Sequence, residues 1–458
     1  MCVGWVEGFF SCYHDNIKNR LTFIDATPFV NPYGESSDQI KNAFRRAPDN
    51  SSYLMPVLER IRSRRGNQFN IKSLHRINMR VDSVELEVTY NSFGEPTLEA
   101  VINKKYKASS PSGISVGSFE SKSISPEISI RNFKRIKKYL LGKFTQEEFD
   151  GVLKRYINAL GGSATTALSL SFFHANFKLR SNKFPNFLGN VLGGGKHCFG
   201  AGKQRIQEIL VMPTSKDLRK SIEISSEIWL RVRNELIKKK ALLGLNPEFA
   251  WVHKLNDRQA LRLAKDVAES YNAKLGIDVA ATHFYRRGIY VYNARKLKRK
   301  EQIDYIEAIA SRFELFYIED PLEENDFKGF AELNSRLSHV LICGDDLISS
   351  NPARFERALN ERSVSAVIIK PNQVGTVSDC LRIINLAKKN KIIPVVSHRS
   401  KETVCDAVAE LSLLAPIAKF SIAGIDIEKR NHLLRLWRNA KRPEIYDVEE
   451  IRNLKRCS

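Results

Sequence analysis

The sequence predicts an α/β protein whose larger, C-terminal part folds as a closed barrel of parallel strands. From residue 275 onward, six apolar strand-like runs alternate with amphipathic helical stretches, which is the pattern of consecutive βα units. Both faces of each run are apolar, as parallel strands covered by helices require. Six such units after an irregular start favour a closed barrel, and an open, doubly wound sheet is the structural alternative.

Length and composition indicate more than one domain. The chain has 458 residues, of which 43% are hydrophobic, enough for a large core. Changes of pattern divide it into four segments: an N-terminal extension of unknown role at 1–75, a small α+β domain at 76–183, the barrel at 184–440 and a basic C-terminal tail at 441–458. Within the extension, residues 52–65 have a helical pattern.

Cysteine usage and charge bear on location and partners. Seven cysteines are scattered singly without a CxxC pair, and no apolar run is long enough for a membrane span, so we expect a cytoplasmic protein without membrane contact. The net charge of +22 would attract phosphorylated small molecules, nucleic acid or acidic partners. Much of the excess lies in helix-like segments such as FKRIKKYLLGK, which are more often solvated faces, so nucleic-acid binding is possible but not favoured.

The small α+β domain begins with a predicted β-hairpin. Strict alternation at 84–90 and a second run at 97–106 flank a glycine-containing turn. Helical patterns follow, one of them introduced by Thr145 and Glu148 as a capping box. Between strands and helices lies ASSPSGISVGSFES, a loop that is either a surface connector or a backbone able to close over a ligand.

The barrel segment starts with a glycine-rich stretch, FPNFLGNVLGGGKHCFGAGKQRIQEILVMPT, that does not fit a phosphate-binding P-loop. A P-loop aligned on Gly202 and Lys203 would have His197 in place of its first glycine and Gln204 in place of its serine or threonine. The stretch instead predicts two strands joined by a glycine loop, with Glu208 in the second strand. A glutamate there is usually the outward residue of an alternating strand.

The predicted strands of the βα units each end in a polar group: Asp278, Glu319, Asp345, Lys370, His398 with Arg399, and Lys419. In a closed barrel these side chains meet at the C-terminal face, where barrel enzymes do their chemistry. Three carboxylates brought together repel one another, so a cation is required, and ligands that are all oxygens favour Mg²⁺. Cationic neighbours depress the pKa of a lysine, so Lys370 could act as a base near neutral pH. This arrangement suits removal of a proton next to a carboxylate.

These residues lie within motifs that resemble the enolase (phosphopyruvate hydratase) family. Nine motifs occur in unbroken order between residues 81 and 437: SGISVGSFE, NVLGGGKH, QEILVMPT, GIDVAATHFY, IEDP, GDDL, IIKPNQVGT, SHRSKET and HLLRL. The resemblance implies an irregular (βα)8 TIM-like barrel preceded by a small α+β N-terminal domain. It also implies a homodimer that uses two Mg²⁺ ions per active site to interconvert 2-phosphoglycerate and phosphoenolpyruvate.

The resemblance also implies a role for each candidate residue. The matched metal ligands are Asp278, Glu319 and Asp345 for the first Mg²⁺ and Ser115 for the second. Lys370 matches the base that removes the proton from carbon 2, and Glu208 matches one of two glutamates at the leaving hydroxyl. Lys419 matches the lysine that binds the substrate carboxylate. The implied substrate-binding residues are His197, Glu208, Glu319, Asp345, Lys370, Lys419 and, around the phosphate, His398, Arg399 and Ser400.

The chain departs from the family pattern at the second glutamate. Where the family has a GDEGG-type loop, this chain has GLNPEFAW, which places Asn246 opposite the carboxylate when the segments are aligned without gaps. Glu248, two residues further on, could substitute if the loop has a different shape. Two other departures concern the usual dimer contacts and a local hinge: the DSRGNPT hairpin is NSFGEPT, and the segment after Lys419 is shorter and lacks RSER.

Three functional hypotheses are compatible with these patterns. The first is an enolase with Lys370 as its base. The second is a catalytically impaired protein of the same fold that binds nucleic acid or a protein partner through its basic surface and its extension. The third is a sister enzyme acting on a different carboxylate, although the SHRS motif and Lys419 favour a phosphorylated substrate.

Overall fold

The structure is a computed structural model that describes residues 12–15, 20–23, 78–114, 119–179, 181–293 and 295–456. The chain divides into two units between Gln68 and Phe69. In the first unit, strands β1 (Cys12–Asp15) and β2 (Arg20–Phe23) form an antiparallel pair. The helix predicted at 52–65 lies outside the described residues. The α+β region and the barrel both belong to the second unit.

The α+β region consists of two small antiparallel sheets and a group of helices. Its strands are β3 (Met79–Val81), β4 (Val84–Tyr90), β5 (Pro96–Ile102), β6 (Tyr106–Ser109) and β7 (Gly142–Phe144). Its helices are α1 (Pro126–Ile136), α2 (Gln146–Arg155), α3 (Ile157–Leu160) and α4 (Gly162–Asn176), with a 3₁₀ turn at Lys137–Leu140.

The prediction of one continuous strand at 97–106 is wrong. This segment divides into β5 and β6 because Asn103 and Lys104 have positive φ angles of 52° and 55°, a conformation found in turns and not in strands. The predicted capping box is confirmed. The Thr145 hydroxyl accepts a hydrogen bond from the Glu148 amide at 3.3 Å, and the Glu148 carboxylate accepts one from the Thr145 amide at 2.8 Å.

Helix α4 joins the small sheet to the barrel. Its sequence, GSATTALSLSFFHAN, is small or apolar on nearly every side, and such a helix must be covered all round. It contacts β5 and β6 on one side and barrel helices on the other. The Ser169 hydroxyl of α4 accepts a hydrogen bond from the Val377 amide at 2.8 Å. The small region is therefore held firmly beside the barrel.

A closed barrel of eight strands forms the main body, which confirms the predicted barrel and excludes the open sheet. The order around the barrel is β9 (Asn186–Gly193), β10 (Glu208–Pro213), β13 (Ala273–Asp278), β17 (Tyr317–Glu319), β18 (Leu341–Gly344), β19 (Ala366–Ile369), β20 (Ile393–Ser397) and β21 (Ile417–Lys419), which pairs with β9. Strands β11 (Leu242–Leu245) and β12 (Trp251–His253) extend the sheet beside β9. Shorter strands are β8 (Lys183–Phe184), β14 (Tyr285–Arg286), β15 (Ile289–Val291), β16 (Lys296–Lys298) and β22 (Glu444–Ile445).

The direction and register of the strands bring their polar ends to one mouth. Strand β10 runs antiparallel to both neighbours, so its first residue, Glu208, lies opposite Asp278, the last residue of β13. Asp278 in turn lies opposite Glu319, and Ser397 lies opposite Lys419. Since the other six pairs around the barrel are parallel, all these residues meet at one end of the barrel.

Helices surround the barrel and cover its outer face. They are α5 (Leu218–Lys238), α6 (Asp257–Ser270), α7 (Arg299–Phe313), α8 (Phe327–Arg336), α9 (Pro352–Asn360), α10 (Pro371–Val374), α11 (Val377–Lys389), α12 (Ala407–Ser412), α13 (Ile427–Asn439) and α14 (Val448–Arg456). Short 3₁₀ turns occur at Gly195–Cys198, Ala281–Phe284 and Gly424–Asp426. Among the described residues, none of the helices is long and apolar enough to cross a membrane.

The interior of the barrel is apolar away from the mouth. Inward-facing side chains such as Phe316, Ile368 and Val395 form one buried cluster, and Val448 and Ile451 of α14 belong to it. Strand β22 pairs in parallel with β8. The segment that the sequence suggested as a basic tail is thus folded through residue 456 and closes the apolar end of the barrel, so polar chemistry is confined to the opposite end.

Candidate active site

The polar strand ends line one pocket at the barrel mouth. The described residues that line it include Glu120, His197, Glu208, Glu248, Asp278, Asp320, Asp345, Asp346, Lys370, His398, Arg399, Ser400 and Lys419. Among these, seven carry carboxyl groups and three carry lysine or arginine cations. Glu319 is fully buried and is joined to the pocket through Lys419. Ser115 lies outside the described residues.

Lys419 lies among three carboxylates at the bottom of the pocket. Its Nζ lies 2.9 Å from both carboxylate oxygens of Glu319, 3.1 Å from Glu208 Oε2 and 3.5 Å from Asp278 Oδ2. Burial alone lowers the pKa of Lys419, but the surrounding carboxylates, Glu208 first among them, raise it well above its usual value. The lysine is thus a fixed cation shared by three carboxylates.

Lys370 forms an ion pair with Asp345, and Gln373 donates to the other Asp345 oxygen at 3.1 Å. The charges of the protein alone do not produce the depressed pKa that we expect for a lysine facing a metal ion. Burial lowers the pKa of Lys370, and Arg399 and Lys419 act in the same direction, but the charge of Asp345 outweighs them and raises it. A partner that neutralises Asp345 would lower the pKa of Lys370 and favour its action as a base.

The carboxylates outnumber the cations, and burial favours their protonated forms. Burial raises the pKa of Asp278 and of Glu319 to about 7 against the lowering influence of Lys419. A buried group of carboxylates with too few cations is suited to a hard divalent ion, whose preferred ligands are oxygens. The residues therefore fit Mg²⁺. The donor atoms of Asp320, Asp345 and Asp346 lie within 4.8 Å of one another, so one of the three predicted ligands already belongs to a compact acidic group.

Asp320 is a site residue that the sequence analysis missed. Its two carboxylate oxygens accept hydrogen bonds from the backbone amides of Asp345 at 3.0 Å and Asp346 at 2.7 Å. It therefore ties the end of β17 to the end of β18 and positions Asp345. The signal was available in the IEDP and GDDL motifs, where each predicted ligand has an acidic neighbour.

Arg399 presents its guanidinium fork to an anion. Its two terminal nitrogens lie 3.0 and 3.1 Å from the two carboxylate oxygens of Glu120, and Nη1 also donates to Asn372 Oδ1 at 3.1 Å. A fork that holds a carboxylate in this bidentate way also fits a phosphate. Glu120 was another omission, because no pattern connects it with a residue 279 positions away.

His398 is oriented by a partner that the sequence did not indicate. Asp426 contacts the Nδ1 atom of His398, and Lys429 Nζ lies 3.0 Å from Asp426. Burial would raise the pKa of Asp426, but Lys429 and His398 lower it overall, so the carboxylate is ionised and holds the proton on Nδ1. The Nε2 atom is then left as the ring nitrogen available to the pocket. Beside it, the Ser400 hydroxyl accepts a hydrogen bond from the Ile114 amide at 2.8 Å.

The serine- and glycine-rich loop is attached to the barrel mouth at both ends. Ser112 and Lys401 exchange backbone hydrogen bonds of 3.0 and 2.9 Å, and the Ser121 amide donates to the Gln373 carbonyl at 2.8 Å. These described flanks favour the interpretation of a loop beside a ligand site over that of a plain surface connector. Residues 115–118 between them are outside the described part of the chain.

The remaining wall contains His197, Glu208 and Glu248. His197 Nδ1 lies 3.3 Å from Glu248 Oε1, and both residues are buried. Glu208 is buried as well, so its interpretation as an outward residue of an alternating strand is wrong: β10 lies between two barrel strands and its first residue faces the mouth. Burial, followed by the charge of Glu248, raises the pKa of Glu208 to about 7.

Comparison with known proteins agrees with this geometry. The family model for the C-terminal TIM barrel domain of enolase matches residues 182–446, more than half of the chain. An enolase of Picrophilus torridus is 34% identical over 402 residues, covering 79% of this chain and 99% of that protein. Enolases of Archaeoglobus fulgidus and Methanosphaera stadtmanae are 31% and 32% identical, each covering 80% of this chain and 99% of the relative. The chain belongs to the enolase family.

Proposed function

We propose that this protein catalyses the reversible dehydration of 2-phosphoglycerate to phosphoenolpyruvate. Family membership supports the reaction, and one observation supports it in this chain. Lys370, Lys419 and Arg399 reach one buried pocket from three different strand ends, with carboxylates between them. These three side chains provide a base, a cation that binds a carboxylate and a guanidinium that binds a phosphate. They suit a substrate that carries both a carboxylate and a phosphate.

Lys370 is the proposed base and Lys419 the proposed ligand of the substrate carboxylate. Lys370 stands at the end of β19, where Pro371 begins the short helix α10 and keeps the backbone of the lysine fixed at the mouth. As a free amine it would take the proton from carbon 2. Lys419 is held by Glu319 and Glu208 and stays positively charged, so it binds an anion and does not exchange a proton.

Asp278, Glu319 and Asp345 are the proposed ligands of one Mg²⁺, and Ser115 is the proposed ligand of a second. When bound, the ions would neutralise these carboxylates and stabilise the negative charge that develops on the substrate carboxylate. Tyr317 supports this arrangement, because its hydroxyl donates to Glu319 Oε2 at 2.6 Å from inside the barrel. Its hydrogen bond fixes the orientation of that carboxylate.

The phosphate end of the pocket is proposed to be His398, Arg399 and Ser400. Glu120 now fills the fork of Arg399, so a phosphate would displace this carboxylate or share the guanidinium with it. Asp426 supports the histidine from behind. At the opposite end, Glu208 and His197 face the position of the leaving hydroxyl, and Glu208 can hold a proton because burial raises its pKa to about 7.

Turnover of 2-phosphoglycerate by the purified full chain tests the proposal. We expect Mg²⁺-dependent formation of phosphoenolpyruvate, followed by ultraviolet absorbance, and a loss of about 10²–10⁴-fold in kcat for Lys370→Ala, the range for a general base. Lys389→Ala, which removes an exposed lysine at the end of α11, is the control and should leave kcat unchanged. A wild-type protein that binds Mg²⁺ and does not turn over would contradict the proposal and favour the alternative of a binding protein.

The homodimer and the cytoplasmic location are further parts of the proposal. The family resemblance supports both, and the scattered cysteines without a CxxC motif support the location. The retained side chains of the pocket favour a working enzyme over an impaired one. Sedimentation of the full chain tests the dimer: a species of twice the mass of 52.2 kDa is expected, and a monomer at every concentration contradicts it.

A further inference from the structure

The glutamate two positions beyond Asn246 reaches the pocket. Glu248 is 5% exposed and lines the same wall as Glu208 and His197. One donor atom from each of these three residues lies within 4.8 Å of the other two. Asn246 is not among the described residues that line the pocket. Position 246 thus has no carboxylate, but the carboxylate of Glu248 lies in the pocket.

Asn246 serves the backbone of the loop that carries Glu248. Its Oδ1 accepts hydrogen bonds from the amides of Glu248 at 3.0 Å and Ala250 at 2.9 Å. Its side-chain nitrogen points at Gly193, where a Cβ atom would come within 2.4 Å of it. An asparagine that caps its own following residues in this way forms a compact turn. Asn246 therefore sets the shape of the loop that carries Glu248.

The turn is held by its surroundings. The Phe249 carbonyl accepts a hydrogen bond from the Trp229 indole at 2.7 Å. The Phe249 ring lies against Gly424 so closely that a Cβ atom on this glycine would be 2.1–2.5 Å from ring atoms. The Glu248 carboxylate is itself positioned by Asn190 Nδ2 at 3.3 Å and by His197 Nδ1 at 3.3 Å. The side chain therefore has a fixed direction into the pocket.

We propose that Glu248 supplies the second carboxylate of the acid side of the site, as the partner of Glu208. The inference rests on the dehydration proposed above. In that reaction the C2–H electron pair becomes the second bond between carbons 2 and 3, and Lys370 receives the proton. The C3–O bond breaks, its electron pair stays with the oxygen, and this oxygen takes the proton held by the Glu208–Glu248 pair to leave as water. Exchange with solvent restores both protonation states.

The variant Glu248→Gln tests whether Glu248 acts in the loss of the hydroxyl and not in the removal of the C2 proton. The substitution keeps the shape and removes the charge, so we expect kcat to fall at least 100-fold while the KM for 2-phosphoglycerate changes by a few-fold. Exchange of the C2 proton of 2-phosphoglycerate with deuterated solvent, followed by NMR, should be retained, because Lys370 and its neighbours are unchanged. Asp150→Asn is the matched control. It also replaces a buried carboxylate by an amide, but at a position outside the pocket, where Asp150 accepts hydrogen bonds from the Gln146 side chain and the Ser378 backbone amide. This variant should keep the kcat of the wild type.

A second variant guards against loss of folding. Glu248→Asp keeps the carboxylate one methylene shorter, so it should recover part of the turnover that Glu248→Gln loses, and the unfolding temperatures of both variants are measured beside the wild type. An active wild type with a Glu248→Gln variant within threefold of its kcat would overturn the inference alone. Equal loss of exchange and turnover would overturn it too, since the residue would then support the whole site. A wild type without turnover or exchange would instead refute the proposed function.

Discussion

His432 should stabilise the fold in a way that depends on pH. Its ring bridges α12 and α13: Nδ1 lies 2.8 Å from Asp406 and Nε2 lies 3.2 Å from Glu410, which also binds His174 at 2.9 Å. Burial lowers the pKa of His432, but its ion pairs with Asp406 and Glu410 outweigh it and raise the value from 6.5 to about 9. The charged ring thus favours the folded state.

The magnitude follows from the two pKa values. A change from 6.5 to about 9 corresponds to roughly 3 kcal/mol, and partial solvent exposure of the ring reduces this to about 2 kcal/mol. Because the folded pKa is the higher one, the stabilisation is fully present below pH 6.5 and is lost as the pH rises through about 9. In a chain of this size, about 2 kcal/mol corresponds to a change in unfolding temperature of roughly 2 °C.

The assay compares unfolding temperatures of wild type and His432→Gln between pH 6 and pH 10 at one scan rate. We expect the variant to unfold at a lower temperature at pH 6 and the difference to shrink toward pH 10. His253→Gln is the control: burial lowers the pKa of His253 to about 4, so its ring is neutral in the folded protein throughout this range. Its difference should therefore be constant above about pH 7.5 and change in the opposite direction near pH 6, where the ring takes up a proton only in the unfolded chain. A His432→Gln difference that is the same at pH 6 and pH 10 would refute the argument.

Two further predictions concern the supports of the site. Gly424→Ala places a Cβ within 2.1–2.5 Å of Phe249 ring atoms, at a backbone φ of +76°. We expect the free energy of unfolding to fall by about 1–3 kcal/mol, so that the unfolding temperature and kcat both decrease. A variant with the unfolding temperature and kcat of the wild type would contradict the packing argument. Tyr317→Phe removes the 2.6 Å hydrogen bond to Glu319, so Mg²⁺ affinity measured by calorimetry should fall about tenfold, whereas unchanged affinity would show that the hydroxyl does not orient this carboxylate.

Much of the barrel could be predicted from periodicity. Apolar runs that end in Asp278, Lys370 or Lys419 are local patterns, and a closed barrel necessarily brings their ends to one face. The turn at Asn103 and Lys104 was missed although asparagine is a common turn residue, because Ile102 and Tyr106 on either side of it keep the period-two spacing of the run. The ion pair between Lys370 and Asp345 could not be predicted from local sequence, because Asp345 follows the neighbouring strand and its charge raises the pKa of the lysine only through their proximity in space.

The supporting residues depend on contacts between distant parts of the chain. Asp426 orients His398 from 28 positions away, and Glu120 reaches Arg399 across 279. Neither pair leaves a trace in local sequence, since an ion pair requires proximity in space and no fixed spacing along the chain.

The sequence by itself determined the fold class, the polar residues at the strand ends and the presence of an asparagine at position 246, because these are properties of neighbouring residues. Only the tertiary structure decided that Glu248 lies beside Glu208 in the pocket, where we propose it as the second carboxylate of the acid side. The direction of Glu248 depends on a turn whose shape is set by the Asn246 cap and by the packing of Phe249 on Gly424, a residue of the 3₁₀ turn that follows the last barrel strand.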